Sequence, residues 1–180
     1  MASPGQKPFN GIRSFRLLIT VLCFIILIYP TLSTAGSFKV FRVIDGDTIK
    51  AMNDSKASTI RLVGIYAPET SKKKNEPGQP FSQTSTKHLA GLVLNKFVEI
   101  KSYGTDRYGC TLGVVYLNGT IVNLEMVKAG LAEVYRGKPA KGFDNDPYRK
   151  AEREAREAGR EIWSLGDWYV SPRNWRKMHK

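Results

Sequence analysis

The chain has 180 residues, a length that suits one domain with its own hydrophobic core. Hydrophobic residues make up 42% of it and charged residues 24%, a balance that argues against wholesale disorder. Its 28 Lys and Arg residues outnumber its 16 Asp and Glu residues, which gives a formal net charge of +12. Such a surplus favours an anionic partner, either nucleic acid or an anionic membrane face, although solubility alone would also explain it.

The first 35 residues have the pattern of a secretory signal peptide. Basic residues without any acid precede an unbroken apolar run from Leu17 to Tyr29, and small residues follow through Ala35. A helix of this length spans about 20 Å of a hydrocarbon core roughly 30 Å thick, which favours a signal peptide over a membrane anchor. We therefore expect cleavage after Ala35 and export to the periplasm or the extracellular space. The alternative is an uncleaved anchor in the membrane.

Cysteine usage excludes a disulfide-stapled fold. Cys23 lies in the apolar run, so Cys110 would be the only thiol left after cleavage. Cys110 is interpreted as a small buried hydrophobe or, alternatively, as a thiol that links two molecules in an oxidising compartment. His88 and His179 are too distant from it in sequence to give the spacing of a zinc site.

Five short strands are predicted from β-branched and apolar runs that end at turn residues. They cover 38–44, 48–52, 58–65, 97–103 and 112–117, and an Asp-Gly turn joins the first two. The basic, proline-containing segment 71–80 and the segment 138–146 are predicted to be exposed loops. Five strands with helices between and after them fit an α+β fold, a five-stranded OB-type barrel with helices.

Three helices are predicted. The first covers 82–94, and the second covers 122–129 and ends at Gly130. The third begins at Asp146, which we expect to cap it, with Pro147 in its first position. Its apolar stripe consists of Tyr148, Ala151, Ala155, Ala158 and Ile162. Its charged face, on which Glu152 precedes Arg156 by one turn, is predicted to be solvated.

Three stretches carry residues suited to phosphodiester chemistry: Asp45-Gly46-Asp47-Thr48, the run from Arg61 to Glu69, and Asp106-Arg107-Tyr108-Gly109. Cleavage of a phosphodiester needs a base to activate water, cations to offset charge at phosphorus, and a hard metal with oxygen ligands. Acids at the ends of strands together with Arg61 would supply much of this. Taken singly, each of these residues is more often a turn residue or a surface charge. The residue types alone are therefore compatible with a phosphodiesterase site but do not establish one.

At these positions the chain resembles the staphylococcal nuclease (thermonuclease) family, over about residues 38–164. The matching elements are Ile44-Asp45-Gly46-Asp47-Thr48, Arg61-Leu62 with Ala67-Pro68-Glu69, Asp106-Arg107-Tyr108-Gly109, Val122-Asn123 with Gly130-Leu131-Ala132, and Ile162-Trp163. The resemblance implies a five-stranded OB-fold barrel with three helices and calcium dependence. It also implies cleavage of DNA and RNA that leaves a 3′-phosphate.

The resemblance assigns a calcium site to four residues. Asp47 falls on a carboxylate ligand of calcium, and Asp45 falls on a carboxylate beside the metal site. Thr48 falls where the family has a threonine that reaches the metal through water. Ala67 falls where the family supplies a backbone carbonyl to calcium, which any side chain permits.

The resemblance assigns catalysis and substrate binding to a second set of residues. Glu69 falls on the general base, and Arg61 falls on an arginine that binds the phosphate and stabilises the transition state. Arg107, Tyr108 and Tyr135 fall on positions that contact the nucleotide. The implied partner is therefore DNA or RNA, with no stable protein partner and a monomeric state.

Two positions depart from the family. Tyr66 stands where a second calcium aspartate is expected, and a neutral phenol is a poor ligand for a hard cation. Cys110 stands where a second catalytic arginine is expected, and a thiol offers no bidentate cationic donor. Candidate substitutes for that arginine are Arg107, Arg136 and the lysines of 72–74.

The expected organisation is therefore a signal peptide over 1–35, a nuclease domain over 36–164, and a basic, aromatic C-terminal tail over 165–180. The tryptophans of that tail either stack on single strands or pack on the barrel. The leading hypothesis is an exported, calcium-dependent endonuclease whose activity is reduced by Tyr66 and Cys110. The alternative is a nucleic-acid-binding module of the same fold that has lost catalysis.

Overall fold

A computed structural model describes residues 36–54, 56–71, 73 and 75–179 of the chain. The predicted signal peptide over 1–35 lies outside these residues, so its existence stays a prediction. Eight strands are assigned within the described ranges. They are β1 (Ser37–Asp45), β2 (Thr48–Asn53), β3 (Lys56–Leu62), β4 (Ile65–Tyr66), β5 (Phe97–Thr105), β6 (Thr111–Leu117), β7 (Thr120–Ile121) and β8 (Glu133–Val134).

Five of these strands close into a barrel, as predicted. The order in the sheet is β3-β2-β1-β5-β6-β7, and β3 pairs with β6 as well as with β2, which joins the two sides of the sheet. The β3–β6 pairing is parallel, whereas the other pairings of the sheet are antiparallel. Closure pairs both edges of β3, so the barrel avoids exposed backbone donors and acceptors there. The short strands β4 and β8 pair separately, beside the barrel.

The strand predicted over 58–65 is wrong at its end. β3 stops at Leu62, and a turn at Val63 and Gly64 separates it from β4. Gly64 has a φ of 84°, a left-handed conformation that breaks a strand and that glycine adopts without steric cost. The break redirects the chain, so Tyr66 pairs with Glu133 of β8 instead of continuing along the barrel.

Helices pack against the barrel and follow it along the chain. They are α1 (Ser82–Val93), α2 (Val122–Lys128), α3 (Asp146–Glu157) and α4 (Pro172–Met178), with a 3₁₀ segment over Glu161–Trp168 that is kinked at Gly166. Gly130 has a φ of 73° just after α2, as its predicted role in ending that helix requires. No helix among the described residues has the length and apolarity needed to cross a membrane.

Two details of the helix predictions are wrong. The helix α4 was predicted only as part of a tail, because its seven residues are too few to show a periodic pattern. Its start is nevertheless encoded locally, since Ser171 Oγ accepts a hydrogen bond from Asn174 N (3.3 Å) and Pro172 occupies the first turn. At α3 the N-cap residue is Asn145, with Asp146 already helical.

The faces of α3 also differ from the prediction. Ala158 is exposed beyond the end of the helix, whereas Glu152 is buried. The Glu152 carboxylate accepts a hydrogen bond from Val134 N (2.8 Å) and pairs with Arg136, in addition to the predicted pair with Arg156 (3.9 Å). A buried carboxylate is tolerated because these partners replace its hydration.

The predicted exposure of loop 71–80 is wrong at Gln79, which is buried.

One core fills the barrel and the space between it and the helices. Its side chains from the barrel strands include Val40, Ile49, Ile60, Leu62 and Val115, and those from helices include Leu89, Val93, Met126, Tyr148 and Ala151. Alternate residues of the strands point inward, so the outward residues remain available for the surface. A smaller cluster packs Ala155 of α3 with Ile162 and Trp163 of the 3₁₀ segment, and Tyr169 lies against it.

A fully buried asparagine fastens the helix α2 to the closure of the barrel. Asn123 Oδ1 accepts a hydrogen bond from Val115 N (2.9 Å), and its Nδ2 donates to Val63 O and Gly113 O (3.0 Å each). These groups belong to β6 and to the turn after β3, where the two strands of the parallel pair separate. The side chain thus gives Val115 N and Val63 O a partner and adds a second donor to Gly113 O, which also accepts from Val63 N (2.9 Å).

Replacement of Asn123 by alanine should therefore destabilise the fold strongly. It leaves Val115 N and Val63 O buried without these partners, and we expect a loss of about 3 kcal/mol in the free energy of unfolding. Urea denaturation followed by tryptophan fluorescence measures it. Asn174→Ala, at an exposed position of α4, is the control and should change stability by less than about 0.5 kcal/mol. Equal effects of the two substitutions would contradict the assigned role.

Candidate active site

The two-residue turn between β1 and β2 presents a pair of carboxylates. Asp45 pairs with Thr48 across the turn, so Gly46 and Asp47 form its tip. A Cβ on Gly46 would lie 1.9 Å from Ser85 Oγ of α1, so only glycine lets the tip pack this closely on the helix. The predicted turn is thus present, with Gly46-Asp47 at its tip instead of Asp45-Gly46, and its helix contact fixes where Asp47 lies.

Asp47 links this turn to the segment that carries Glu69. Only 6% of Asp47 is exposed. Its Oδ1 accepts a hydrogen bond from Thr48 Oγ1 (2.7 Å), and its Oδ2 accepts one from Ala67 N (3.2 Å). Asp47 N in turn donates to Asp45 Oδ1 (3.2 Å). Asp45, Asp47, Thr48 and Ala67 therefore form one connected group.

The two carboxylates lie close enough to disturb each other's ionisation. Burial and the nearby charge of Asp47 raise the pKa of Asp45 to about 8. A buried carboxylate and a half-buried one that repel each other form a site where a cation is favourable. The carboxylates and the Thr48 hydroxyl supply oxygen atoms, which suits a hard divalent ion such as calcium, whereas Ala67 presents its N–H to Asp47.

The protein donors in this group are few for calcium. Within the described residues, no cluster of three or more His, Cys, Asp or Glu side chains is placed to hold a metal ion. Calcium takes 6–8 oxygen ligands, so water would have to provide several of them here. The residue types present suit calcium, but they provide only two carboxylates to bind it.

Strand pairing places Arg61 beside the acidic turn. Arg61 of β3 lies opposite Thr48 of β2. Its Nη1 is 3.6 Å from Asp106 Oδ2, and its buried Nε has no hydrogen-bond partner among the described residues. Burial lowers the pKa of Arg61, but the carboxylates of Asp47 and Asp106 more than offset this and raise it overall. Arg61 is therefore a fixed cation with a donor still to be satisfied.

The turn between β5 and β6 brings Cys110 to the same place. Asp106 Oδ1 accepts hydrogen bonds from Tyr108 N (2.8 Å) and Cys110 N (2.9 Å), which holds the turn in shape. Burial, with the charge of Asp106, raises the pKa of the half-buried Cys110 thiol. The thiol is consequently neutral and adds no cation next to Arg61.

Arg107 and Tyr108 project from this turn into solvent. Tyr108 is 69% exposed, and the Arg107 guanidinium lies 4.8 Å from the centroid of its ring. An exposed ring with an adjacent cation offers a stacking surface for a base and a charge for a phosphate. The two residues therefore belong to the rim of the group and not to its interior.

Glu69 lies just beyond this group and is held by its backbone. Glu69 N donates to Gln79 Oε1 (3.1 Å), and Glu69 O accepts from Gln79 N (2.8 Å). Its side chain pairs with the guanidinium of Arg176, a residue of α4. The Pro68-Glu69 segment is thus fastened to the end of loop 71–80, and its carboxylate faces a cation that sequence reasoning did not single out.

The side chain of Tyr66 lies near Glu69 and contacts both Tyr135 and Arg176. Its ring packs edge-on against Tyr135 at 5.1 Å between centroids, and the Arg176 guanidinium lies 4.5 Å from the Tyr66 ring centroid. Burial raises the pKa of Tyr66, although Arg176 acts in the opposite direction. The phenol is therefore neutral near pH 7 and provides no anionic ligand.

The other predicted substitutes for the missing arginine are engaged elsewhere or lie outside the described residues. Arg136 pairs with Glu152, and the exposed Lys73 pairs with Glu76 at 3.2 Å. Lys72 and Lys74 are outside the described residues. Arg176 was missed because its contact with Glu69 spans 107 positions of sequence, and the basic, aromatic composition of the tail was the only signal.

Comparison with known proteins identifies the family of the chain. The chain matches the family described as staphylococcal nuclease homologue over residues 59–165. It is 40% identical to an uncharacterized endonuclease of Escherichia coli O157:H7 over 157 residues, which cover 86% of this chain and 94% of that protein. It is 31% identical to a thermonuclease of Staphylococcus hyicus over 163 residues, 82% of this chain and 95% of that protein. A micrococcal nuclease of Shigella flexneri is 35% identical over 153 residues, 79% and 81% of the two chains. The chain therefore belongs to the family of staphylococcal nuclease homologues.

Proposed function

We propose that this protein is a calcium-dependent endonuclease that cuts DNA and RNA and leaves a 3′-phosphate. That the protein is a hydrolytic endonuclease follows from its family and from relatives that are named as nucleases. The metal, the role of each residue and export from the cell belong to the proposal. The observation that carries it is the hydrogen bond from Ala67 N to Asp47 Oδ2 (3.2 Å), because it joins the acidic turn to the segment that ends in Glu69.

Each group has a proposed task in the reaction. Glu69 accepts a proton from a water molecule whose oxygen attacks phosphorus. The bond from phosphorus to O5′ breaks, and the departing oxygen takes up a proton from solvent. Arg61 donates to a phosphate oxygen and offsets the charge that develops there, for which the exposed third of its side chain (33%) is available.

The acidic turn is the proposed calcium site. Asp47 and the Ala67 carbonyl would bind the ion directly, with Asp45 beside them and Thr48 acting through water. When bound, calcium supplies positive charge at the phosphate and at the attacking water. Arg107, Tyr108 and Tyr135 would hold the nucleotides on either side, since they combine rings with a cation.

The rival function is a binding module without catalysis. The neutral Tyr66 and Cys110 favour it, because both replace charged groups that the family is expected to use. Such a module would bind DNA in a salt-dependent way and would not need calcium. Calcium-dependent cleavage of denatured DNA by the purified protein decides between the two, and its absence at every enzyme concentration would refute the endonuclease.

Glu69→Gln should remove most of the activity. An amide has the shape of the carboxylate but cannot accept the proton, so we expect kcat to fall by about 10²–10⁴ with little change in KM. Steady-state cleavage of denatured DNA with saturating calcium measures both constants. Glu76→Gln, an exposed acid paired with Lys73, is the matched control. A Glu69→Gln enzyme that keeps the wild-type kcat would exclude Glu69 as the base.

Tyr66→Asp should lower the calcium concentration that gives half-maximal activity. It adds a carboxylate where the family is expected to have one, and we expect a shift of about tenfold. Calcium titrations of the cleavage rate measure this shift. Tyr66→Phe, which removes the hydroxyl without adding charge, should leave the titration unchanged. If Tyr66→Asp also leaves it unchanged, position 66 does not face the metal.

Asp45→Asn should stabilise the protein when calcium is removed. A carboxylate with a pKa raised to about 8 is destabilising once ionised, so the stability of the wild type falls as pH rises from the unfolded pKa of about 4 towards 8. The amide cannot ionise. The melting temperature of Asp45→Asn in EDTA should therefore exceed that of the wild type by a margin that grows with pH over this window. A margin that is constant or shrinks would contradict the raised pKa.

A further inference from the structure

The C-terminal helix delivers a cation to the proposed general base. Arg176 of α4 pairs through Nη1 with Glu69 Oε1 and lies over the ring of Tyr66, 4.5 Å from its centroid. The two contacts place the guanidinium between the position of the proposed base and the position where a metal carboxylate is replaced by Tyr66. None of the roles proposed above uses this arginine.

The placement of Arg176 does not depend on one exposed ion pair. Gln79, which holds the backbone of Glu69, also donates from Nε2 to Val170 O (2.6 Å) just before α4. Tyr169 donates from its hydroxyl to Glu133 Oε2 (2.7 Å), and its ring packs on Trp163 at 4.7 Å between centroids. An isolated surface pair contributes only about 0–1 kcal/mol, so these anchors are what hold the helix in position.

The site has a chemical requirement that Arg176 can meet. Arg61 is a single cation, and the position of the expected second arginine holds the neutral thiol of Cys110. Charge that develops on the phosphate during hydrolysis is best stabilised by several preorganised donors. Arginine has five N–H donors in a planar fork, so a guanidinium that bonds to a carboxylate through Nη1 can also donate to a phosphate oxygen.

We propose that Arg176 is the second catalytic guanidinium of this enzyme, which the C-terminal helix supplies in place of the arginine absent at Cys110. In the free enzyme Arg176 orients the Glu69 carboxylate. With a phosphodiester bound, it donates to a non-bridging oxygen of the scissile phosphate while it stays beside Glu69. The proposal rests on the endonuclease function above and extends the active site to α4.

The first test is removal of the side chain in the full-length protein. Arg176→Ala should lower kcat by about 10²–10³ and change KM far less, as expected for a donor used mainly in the transition state. Arg176→Lys keeps the charge without the fork and should recover only part of the rate. Guanidinium ion added at low millimolar concentration should partly restore Arg176→Ala.

The controls remove one positive charge each from the same helix. Arg173→Ala and Lys177→Ala lie at exposed positions of α4 and should keep kcat near that of the wild type. Melting temperatures are measured for all variants, and the rescue by guanidinium distinguishes a missing donor from a misfolded site. If Arg176→Ala matches the two controls, Arg176 only braces the helix. If Arg176→Ala is faster than the wild type, Arg176 blocks Glu69, and either result overturns the proposal.

A second test separates action on the phosphate from action through Glu69. Arg176→Ala is combined with Glu69→Gln, and the single and double variants are compared. If the guanidinium contacts the phosphate, its removal by Arg176→Ala should lower kcat by at least about another tenfold in the Glu69→Gln background. No further loss would mean that Arg176 acts only by holding Glu69, which refutes the catalytic role.

A wild-type protein that does not cut at all would refute the endonuclease function and, with it, this proposal. The other outcomes concern Arg176 alone.

Discussion

The closure of the barrel at β3 determines where the residues of the proposed active site meet. At Arg61, β3 pairs with Thr48 of β2 on one side and with Leu112 of β6 on the other. Thr48 follows the acidic turn, and Leu112 follows the turn that contains Asp106 and Cys110. One arginine is therefore flanked by both turns because the barrel closes there. Any change that opens the β3–β6 pairing would separate the cation from its acidic neighbours.

The buried Asn123 of α2 stabilises the same closure through its hydrogen bonds to the barrel backbone. It bonds to the backbone of β6 and to Val63, just where the chain leaves β3. The turn at Val63 and Gly64 then directs the chain through Tyr66 and Ala67 towards Glu69. Because Ala67 N donates to Asp47, the chain returns to the acidic turn two residues before the proposed base. The position of the proposed site thus follows from where the strands end and turn.

Tyr66 and Cys110, the two positions expected to depart from the family, provide no charge to the proposed site. Both side chains are neutral and partly buried, and the backbone of each is paired, Tyr66 with Glu133 of β8 and Cys110 N with Asp106 Oδ1. Arg176 brings back a positive charge from a different part of the chain, in contact with Tyr66 and Glu69. The number of cations close to the proposed base therefore cannot be counted from the positions that align with the family. It depends on the packing of the C-terminal helix.

Sequence patterns were sufficient for the features that are encoded locally. The five barrel strands follow from alternation and from turn residues, whereas β7 and β8, of two residues each, are too short to show a pattern. The acidic turn is visible as a run of four residues. The break at Gly64 was missed because the residues around it remain apolar and β-branched. The burial of Glu152 was missed because its partners, Val134 N and Arg136, come from a distant segment. For the same reason the role of α4 could not be derived, since the contact of Arg176 with Glu69 is made only by the fold.

The central claim is that the acidic turn, Arg61 and Glu69 act together on a phosphodiester with calcium. Analysis of the ends produced from a short single-stranded oligonucleotide, with calcium and with EDTA, tests this most directly. The account predicts fragments that carry a 3′-phosphate and a free 5′-hydroxyl, formed only when calcium is present. Fragments with a 5′-phosphate, or cleavage that continues in EDTA, would contradict it.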